Sequence, residues 1–459
     1  MTNMTRGKPV FVIFKFALPL MLGGILQQMY MIIDSVIVGR GVGIQALASL
    51  GAADWINWFL LWGIQGFTQG LSIPLSLHFG AEDFPGLRKT AAAVVELCLI
   101  AAVAVTAVSL LCITPALRLL RTESAILPGA QTYLRVLFSG SAAVLAYNMA
   151  SSMLRALGDG GTPLAAILIA SAVNIGLDLL FVLVFQWGIF GAALATVLAQ
   201  VLAFLFCLRA LRKMDILKPE REDWRWDKSA AARLCRCSLP TALQNALIAL
   251  GGMTVQFVLN GFGMLFVAGF TATNKLLGLL ESTAVAFGQG MNTYMGQNRG
   301  AGNIRRIDEG MRSVLLLSLG FSLVLSAAAL LWGRPVLSLF VSSGEADAEQ
   351  VIEIAFRYLR TMAYMLLSLY LLHAYRSSLQ GLGNTIIPML SGLIEMVMRV
   401  GVALVLPAAI GQSGIFYTEV AAWAGADLLL IPYYLASQRR MKKRILLEYA
   451  PETAGTPRE

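Results

Sequence analysis

The sequence predicts an all-α integral membrane protein with twelve transmembrane helices in two parallel six-helix repeats. Of its 459 residues, 57% are hydrophobic and only 13% are charged, whereas soluble domains carry about 25% charged residues. The apolar residues fall into runs of about 20, the length that crosses the hydrocarbon core of a bilayer. The two halves of the chain also resemble each other. These observations exclude a disordered chain and a soluble enzyme.

Glycine, proline and charged residues divide the apolar runs into two sets of six predicted spans. The first run is too long for a signal-peptide core and has no small-residue cleavage site after it, so we expect an uncleaved first span. The first set covers residues 16–38, 56–79, 90–113, 132–154, 163–185 and 188–211. The second set covers residues 238–260, 266–294, 313–332, 361–379, 388–407 and 414–436.

A polar, basic stretch between the two sets defines the predicted domain organisation. We expect an N-lobe of helices 1 to 6 (1–211), a cytoplasmic linker (212–237), a C-lobe of helices 7 to 12 (238–436) and a basic cytoplasmic tail (437–459). Most of the 35 lysines and arginines lie in loops on the side of the linker and tail. The positive-inside rule therefore places both termini in the cytoplasm of a prokaryotic inner or plasma membrane. The basic run of the tail is a topology signal or, alternatively, a contact for anionic lipid.

The net charge of +9 thus reflects membrane topology, and we expect no nucleic-acid partner. Five cysteines without C-x-x-C spacing support neither a zinc site nor a disulfide framework. The segment 158–161 (GDGG) lacks the Lys-Ser/Thr of a phosphate-binding loop and indicates a turn. No set of residues has the pattern of a catalytic centre. We expect neither a cofactor nor an enzyme activity.

The two halves resemble each other residue by residue, which indicates a duplicated six-helix unit. A shift of 220 places Gly41 on Gly261, Gly43 on Gly263, Ala48 on Ala268, Gln69 on Gln289, Gly70 on Gly290, Gly80 on Gly300 and Ala81 on Ala301. A shift of 225 places Leu154 on Leu379, Leu157 on Leu382, Gly158 on Gly383 and Pro163 on Pro388. Because six is even, the repeats are parallel and related by an axis along the membrane normal. Such duplication is typical of transporters that alternate access to a central cavity.

Polar side chains within the spans of the first half mark a candidate ion site. An ionised carboxylate at the bilayer centre costs at least ~2.5–3.5 kcal/mol, so Asp34 and Asp178 each need a partner, a proton or a function. Asp34 shares a helical stripe with Gln27 and Asp178 shares one with Asn174, while Thr196 lies in the sixth span. These oxygen donors suit Na⁺ or a proton better than a transition metal. The alternative is that the groups only hydrogen-bond one another to fix helix packing.

The second half lacks counterparts of these residues. The two shifts place Thr254, Arg399 and Ala403 opposite Asp34, Asn174 and Asp178. Glu395 and Arg399 have the i, i+4 spacing of an intrahelical ion pair, which removes the burial penalty of both charges. Glu281 has no such local partner, so it is either a contact for a cationic substrate or a packing residue. We place Gln27, Glu281 and Arg399 along the substrate cavity.

Seven segments, in their order along the duplicated chain, carry a resemblance to the multidrug and toxic compound extrusion (MATE) family. They are GRGVGIQALASLGAA (39–53), FGA (79–81), LRALGDGGTP (154–163), NIGLD (174–178), GIFGAALATVLAQ (188–200), GQNRGAGN (296–303) and LQGLGNTIIP (379–388). The resemblance covers nearly the whole chain. It implies a V-shaped pair of six-helix lobes that exports organic, often cationic, compounds in exchange for Na⁺ or H⁺.

The resemblance also implies which residues bind the coupling ion. In the DinF-like branch of the family, the N-lobe cation site uses a first-helix Asp, a fifth-helix Asn and Asp and a sixth-helix Thr. These match Asp34, Asn174, Asp178 and Thr196, and a fourth-helix Asn of the same network matches Asn148. We therefore expect Na⁺ or a proton at this site.

The sequence departs from the NorM-like branch, in which an acid of helix seven helps to form a C-lobe site. Residues 238–260 contain no Asp or Glu, so we do not expect a coupling site in the C-lobe.

We therefore expect a monomeric multidrug efflux antiporter that moves small organic molecules across the membrane by alternating access, with small organic substrates and membrane lipid as its partners. Two other functions stay open. A lipid-linked oligosaccharide flippase would need a strongly cationic central cavity, and an intramembrane transferase would convert a lipid substrate without any gradient. The sequence favours neither Na⁺ nor H⁺ as the coupling ion.

Overall fold

The computed structural model describes residues 2–120, 122–218, 220–339 and 347–448. Within these ranges the regular structure is helical. The first seven α-helices are α1 (Pro9–Gly41), α2 (Ile44–Gly80), α3 (Phe84–Leu119), α4 (Leu127–Ser139), α5 (Ser141–Ala156), α6 (Gly161–Asp178) and α7 (Gly188–Arg212). The next seven are α8 (Lys228–Leu259), α9 (Met264–Gly300), α10 (Ile304–Ser338), α11 (Ala348–Tyr364), α12 (Leu366–Gly381), α13 (Ile386–Ile410) and α14 (Thr418–Glu448).

These fourteen helices of the described chain form the twelve expected spans, because two spans are each made of two consecutive helices. The helix predicted for residues 132–154 is divided at Gly140 into α4 and α5, and the helix predicted for 361–379 is divided at Met365 into α11 and α12. The prediction of one unbroken helix is wrong in both places. The two breaks are 225 residues apart, which is the shift that relates these parts of the repeat, so the duplication has preserved them. The twelve-span, two-repeat fold is confirmed.

Eight segments of the described chain are individually long and apolar enough to cross a membrane. The two divided spans are not among them, because each of their four helices has 17 residues or fewer. The seventh span differs from the prediction in another way. Its helix, α8, begins at Lys228, ten residues before the predicted start at 238, so the connection between the two halves is shorter than expected.

Backbone conformation repeats between the halves at the predicted glycines. Gly43 and Gly263 precede α2 and α9 with φ of 115° and 90°, and Gly158 and Gly383 follow α5 and α12 with φ of 82° and 77°. A side chain would strain each of these positive-φ turns. These two pairs of matched glycines therefore share a structural reason for their identity.

The first helix of each half packs against both halves of the protein. Ile13 and Phe16, near the start of α1, belong to the apolar core of the C-lobe, whereas Val38 near its end belongs to an N-lobe core. The helix α8 does the reverse, since Leu234 packs in an N-lobe core and Leu259 packs in the C-lobe core. Each lobe is thus tied to the other by one helix that crosses between them.

The lobes meet closely at the end of the bundle that carries the start of α1 and the linker, here called the linker side. A Cβ atom on Gly80 of α2 would lie 1.9 Å from the Gln297 carbonyl oxygen, and one on Gly300 of α9 would lie 2.0 Å from the Leu77 carbonyl oxygen. These two contacts are related by the shift of 220. Only glycine permits such an approach of backbones, so the linker side of the lobe boundary is closed.

Residues 2–7, here called the N-terminal segment, cross this boundary ahead of α1. Met4 is fully buried; its N–H donates to Gln297 Oε1 (3.0 Å) and its carbonyl accepts from Asn298 Nδ2 (3.1 Å). Arg306 of α10 donates to the carbonyls of Met4 (3.0 Å) and Gly7 (2.8 Å). The C-lobe therefore holds the backbone of this segment.

Candidate functional site

A buried polar cluster in the N-lobe contains three of the predicted ion-site residues. Asn174 and Asp178 of α6 are 1% and 0% exposed. With its amide nitrogen towards Asp178, Asn174 donates to Asp178 Oδ2 (2.8 Å) and accepts from the backbone N–H of Thr196 (3.1 Å). The Thr196 hydroxyl lies 3.5 Å from the same amide. The structure thus brings together residues from the fifth and sixth spans, as the sequence predicts.

The backbone changes form directly after this cluster. The helix α6 ends at Asp178, and residues Leu179–Val184 continue it as a π-helix. A π-helical turn inserts an extra residue into the helix and occurs often at functional sites.

The side chain of Asp34 lies outside the described part of the structure, but its backbone position in α1 is informative. Gly23 packs against Ile167 of α6, and Gly41 packs against Val182 and Leu183 of the π-helix. The two helices therefore run parallel, and Asp34 lies between these contacts. Its backbone is at the level of the Asn174–Asp178 turn, where the ion-site prediction requires it to be.

Asn148 occupies a less direct position. It lies on α5, half-buried, and its amide donates to the carbonyl of Val144 in the same helix (2.9 Å). The described hydrogen bond therefore stays within α5. The assignment of Asn148 to the ion site remains a prediction.

Two of the predicted cavity residues lie beside one contact between the lobes. Gly24 of α1 faces Ser282 of α9, and Gly278 of α9 faces Gln28 of α1. Gln27 and Glu281 are the neighbours of these contact residues, and both are exposed although they lie in the middle of long helices. A polar pair at the boundary between the lobes is the position expected for substrate contacts.

The third predicted cavity residue, Arg399, is 7% exposed and lies within a chain of buried charges in the C-lobe. It donates to the carboxylate of Glu419 on α14 (2.7 and 3.0 Å) and lies 3.7 Å from Glu395. Glu395 in turn pairs with Arg376 of α12. The predicted Glu395–Arg399 contact exists, but each partner makes a closer bond to another helix. Arg399 thus faces the interior of the C-lobe.

Sequence reasoning missed several charged residues of the spans. Arg376 and Glu419 lie within the predicted spans 361–379 and 414–436, and a search for every charged side chain in those runs would have found them. Glu281 interacts electrostatically with Arg399, Arg376 and Glu419, so it belongs to the edge of the same network. Asp54 was missed because the second span was predicted to begin at residue 56, whereas α2 begins at Ile44.

Comparison with known proteins decides the family. The MatE family profile matches residues 19–180 and 240–405, which is most of both lobes. The chain belongs to the MatE family. The probable multidrug resistance protein YpnP of Bacillus subtilis is 32% identical to it over 362 residues, covering 78% of this chain and 80% of that protein. The probable multidrug resistance protein NorM of Thermotoga maritima is 25% identical over 403 residues, covering 84% and 82%.

The fold also matches solved structures of the family. A transporter of the MOP superfamily from Pyrococcus furiosus, described with a binding pocket of reverse polarity, superposes with a TM-score of 0.89 over 96% of this chain and 98% of that one, at 22% identity. Membership of the MatE family confirms the predictions of a multi-pass membrane transporter and of a protein that is not an enzyme. Its substrates are accordingly small molecules. The assignment to the DinF-like branch stays a prediction.

Proposed function

We propose that this MatE transporter is a multidrug efflux antiporter that exports organic, often cationic, compounds in exchange for Na⁺ or H⁺ by alternating access. The relatives named as multidrug resistance proteins support the cargo. The observation that carries the coupling is the buried N-lobe cluster of Asn174, Asp178 and Thr196 at the level of Asp34. Carboxylate, amide and hydroxyl oxygens are the ligands that suit a hard cation such as Na⁺.

The route by which cation binding reaches the lobe boundary is α1. Its outer half, with Asp34, packs on the N-lobe, and its first turns pack in the C-lobe core. A cation bound by Asp34 and Asp178 therefore acts on a helix that also contacts the C-lobe on the linker side, where the α2–α9 contacts close the lobe boundary. Coupling requires that the ion bind the two lobe arrangements with different affinity. Drug bound near Gln27 and Glu281 shifts the same equilibrium in the opposite direction.

The topology follows from charge. We propose that the linker side faces the cytoplasm of a prokaryotic cell membrane, with both termini inside, because lysine and arginine concentrate there. The closed lobe contacts at Gly80 and Gly300 then seal the transporter towards the cytoplasm. We further propose that the protein acts as a monomer, since each lobe finds its partner within the same chain.

Dye efflux from proteoliposomes under separately imposed Na⁺ and proton gradients tests the proposal. The wild-type protein should respond to one gradient, which identifies the coupling ion. Asp34→Asn and Asp178→Asn should each abolish gradient-driven efflux while the protein still inserts. The matched control is Asp83→Asn, which removes a carboxylate from the turn before α3, outside the spans. Full efflux by either site variant would refute the ion-site assignment.

The flippase alternative would need a strongly cationic cavity. The two buried arginines of the C-lobe, Arg376 and Arg399, each contact a carboxylate, and the exposed Glu281 places a carboxyl group at the lobe boundary. These charges support a cationic cargo over an anionic lipid-linked sugar. Transfer of a fluorescent lipid-linked sugar by the wild-type protein, without dye efflux, would favour the flippase.

A further inference from the structure

The two lobes also meet in a groove that opens sideways, between the first turns of α1 and α10 on the linker side. The groove has a volume of about 460 Å³, and its lining includes Lys8 and Phe11 of α1 and Glu309, Arg312 and Ser313 of α10. One wall is the first turn of α1, the end of that helix that packs in the C-lobe core, and the other is the first part of α10. A ligand in this groove would therefore contact both helices at once.

The charges that line the groove favour an anion. Lys8 and Arg312 are exposed, and the carboxylate among the lining residues is that of Glu309. Glu309 is itself engaged by Arg305 of the same helix (2.9 Å). The helix α1 begins at Pro9 without a side-chain cap, so its free N–H groups add partial positive charge at the same place.

An apolar surface continues from the groove along both helices. Phe11 is 68% exposed on α1, and Leu316 and Leu323 are 64% and 60% exposed on α10. Between the helices, the rings of Phe14 and Phe321 lie 6.0 Å apart and close the base. This surface can hold a hydrocarbon chain that extends from the charged end towards the middle of the bilayer.

The groove lies at the boundary between polar and apolar sequence. Lys15 is the last charged residue of α1 before the uncharged run 16–33, and Arg312 is the last of α10 before the uncharged run 313–333. Basic residues at such boundaries lie at the level of the lipid headgroups, with their stems along the apolar surface. The charged end of the groove therefore meets the phosphate layer of the membrane.

We propose that this groove is a binding site for one anionic phospholipid, whose phosphate contacts Lys8 and Arg312 and whose acyl chain follows the seam between α1 and α10. The lipid links the first turn of α1 to α10 next to the N-terminal segment, which Arg306 already holds to the C-lobe. Its binding stabilises the arrangement that is closed on the linker side. This inference concerns neither the cargo nor the coupling ion, so it can fail while the proposed function holds.

Native mass spectrometry of the purified full-length protein tests the site. Phosphatidylglycerol and phosphatidylcholine with identical acyl chains are added in turn, and the fraction of protein that retains one lipid is measured. We expect phosphatidylglycerol to be retained in preference. The variant Lys8→Gln/Arg312→Gln should lose that preference by roughly 25-fold, since one basic residue near the surface contributes about fivefold to anionic-lipid attraction.

A matched control removes the same charge on the opposite side of the membrane. Arg118→Gln/Arg135→Gln alters two exposed arginines there and should keep the wild-type preference. The variant Lys8→Arg/Arg312→Lys, which conserves the charge, should keep it as well. Equal retention of both lipids by the wild-type protein, or an equal loss in the control, would overturn the proposal. Glycerol phosphate without acyl chains should not displace the lipid at equal concentration; if it does, the groove binds a free anion and the proposal is wrong.

Discussion

The two lobes carry different residues at equivalent positions of their fifth spans, which are α6 in the N-lobe and α13 in the C-lobe. In the N-lobe, the amide of Asn174 contacts Asp178 and the backbone of Thr196. In the C-lobe, the position related by the shift of 225 is Arg399, whose guanidinium bonds Glu419. At this position the N-lobe thus offers an uncharged amide beside oxygen ligands, whereas the C-lobe carries the positively charged side chain of Arg399.

This difference explains why the two lobes have different functions in the proposed mechanism. Buried carboxylates are tolerated when a cation compensates them. In the C-lobe, Arg376 and Arg399 supply that cation permanently, so the network holds helices α12, α13 and α14 together. In the N-lobe, an exchangeable Na⁺ or proton can supply it. Exchange of the compensating cation is what a coupling site requires.

The largest expected effect comes from breaking the buried ion pair of Arg376 with Glu395. Arg376→Met removes the partner of Glu395 and should lower the free energy of unfolding by about 3–5 kcal/mol, because it leaves a buried carboxylate with weaker compensation. Denaturant titration of the protein in detergent measures the loss. The matched control, Arg334→Met, breaks the exposed pair of Arg334 with Glu349 and should cost less than about 1 kcal/mol.

The double variant Arg376→Met/Glu395→Met sharpens this test. Removal of both charges should restore most of the stability that the single change loses. If Arg376→Met is no more damaging than Arg334→Met, the C-lobe network is not a structural pair.

The second prediction replaces Asn174 by arginine, the residue that the C-lobe carries at the equivalent position. Asn174→Arg places a fixed cation next to Asp178, so the coupling cation can no longer exchange there. Gradient-driven efflux should fall by roughly a hundredfold, since the free energy of a charged side chain within the membrane is about 2.5–3.5 kcal/mol. Efflux from proteoliposomes measures it. Asn260→Arg adds the same charge at the exposed outer end of α8 and should leave efflux unchanged. Wild-type efflux by Asn174→Arg would show that no exchangeable cation binds there.

A smaller effect is expected at the N-terminal segment that joins the lobes. Arg306→Gln removes the charged hydrogen bonds to the Met4 and Gly7 carbonyls. A hydrogen bond of this kind contributes about 1.5–3 kcal/mol, so the variant should shift the protein away from the arrangement that is closed on the linker side. Pulsed EPR between spin labels at positions 81 and 301, in a background without the five native cysteines, should report longer distances.

The neighbouring Arg305 provides the control for this measurement. Its pair with Glu309 is solvent-exposed, so Arg305→Gln should leave the distance distribution unchanged. Identical distributions for Arg306→Gln and the wild-type protein would mean that the N-terminal segment does not hold the lobes together.

The smallest effect concerns two helix caps that the shift of 220 relates. Asp83 caps α3 by accepting from the Gly86 N–H (3.0 Å), and Asn303 caps α10 by accepting from the Arg306 N–H (3.2 Å). The Gly86 N–H, assisted by His78, lowers the pKa of Asp83 below its ordinary value of 3.8. The ionised cap therefore stabilises the protein above pH 3.8, and this contribution is lost as the pH falls through the lower folded pKa.

Thermal midpoints measured from pH 5 to pH 3 test this prediction. Asp83→Asn should weaken the pH dependence, and Asn303→Asp should increase it, each by less than about 1 kcal/mol because Asp83 is exposed and Asn303 is only half-buried. A pH dependence identical in all three proteins would contradict it.

Much of this architecture could be predicted from the residues alone. Three of the five glycine pairs matched by the two shifts recur at positive φ or at close backbone approaches, and the twelve spans follow from apolar runs. The breaks at Gly140 and Met365 were not predicted, because hydropathy sets the length of a span and does not show whether its helix is continuous, and both positions lie inside a predicted span. In the candidate site, Asn174, Asp178 and Thr196 were predicted together because intramembrane polar groups are costly. Arg376 and Glu419 were missed because the predicted pair Glu395–Arg399 already balanced its own charges.

The sequence by itself determined the solvent, the duplication and the residues that a bilayer would penalise, since these depend on composition and spacing. Only the tertiary structure decided which side chains contact one another. Whether Arg399 bonds along its own helix or to Glu419 depends on how three helices pack, and so does the crossing of α1 and α8 between lobes. Local spacing fixes which side chains share a helix face, but contacts between residues hundreds of positions apart depend on the relative placement of whole helices.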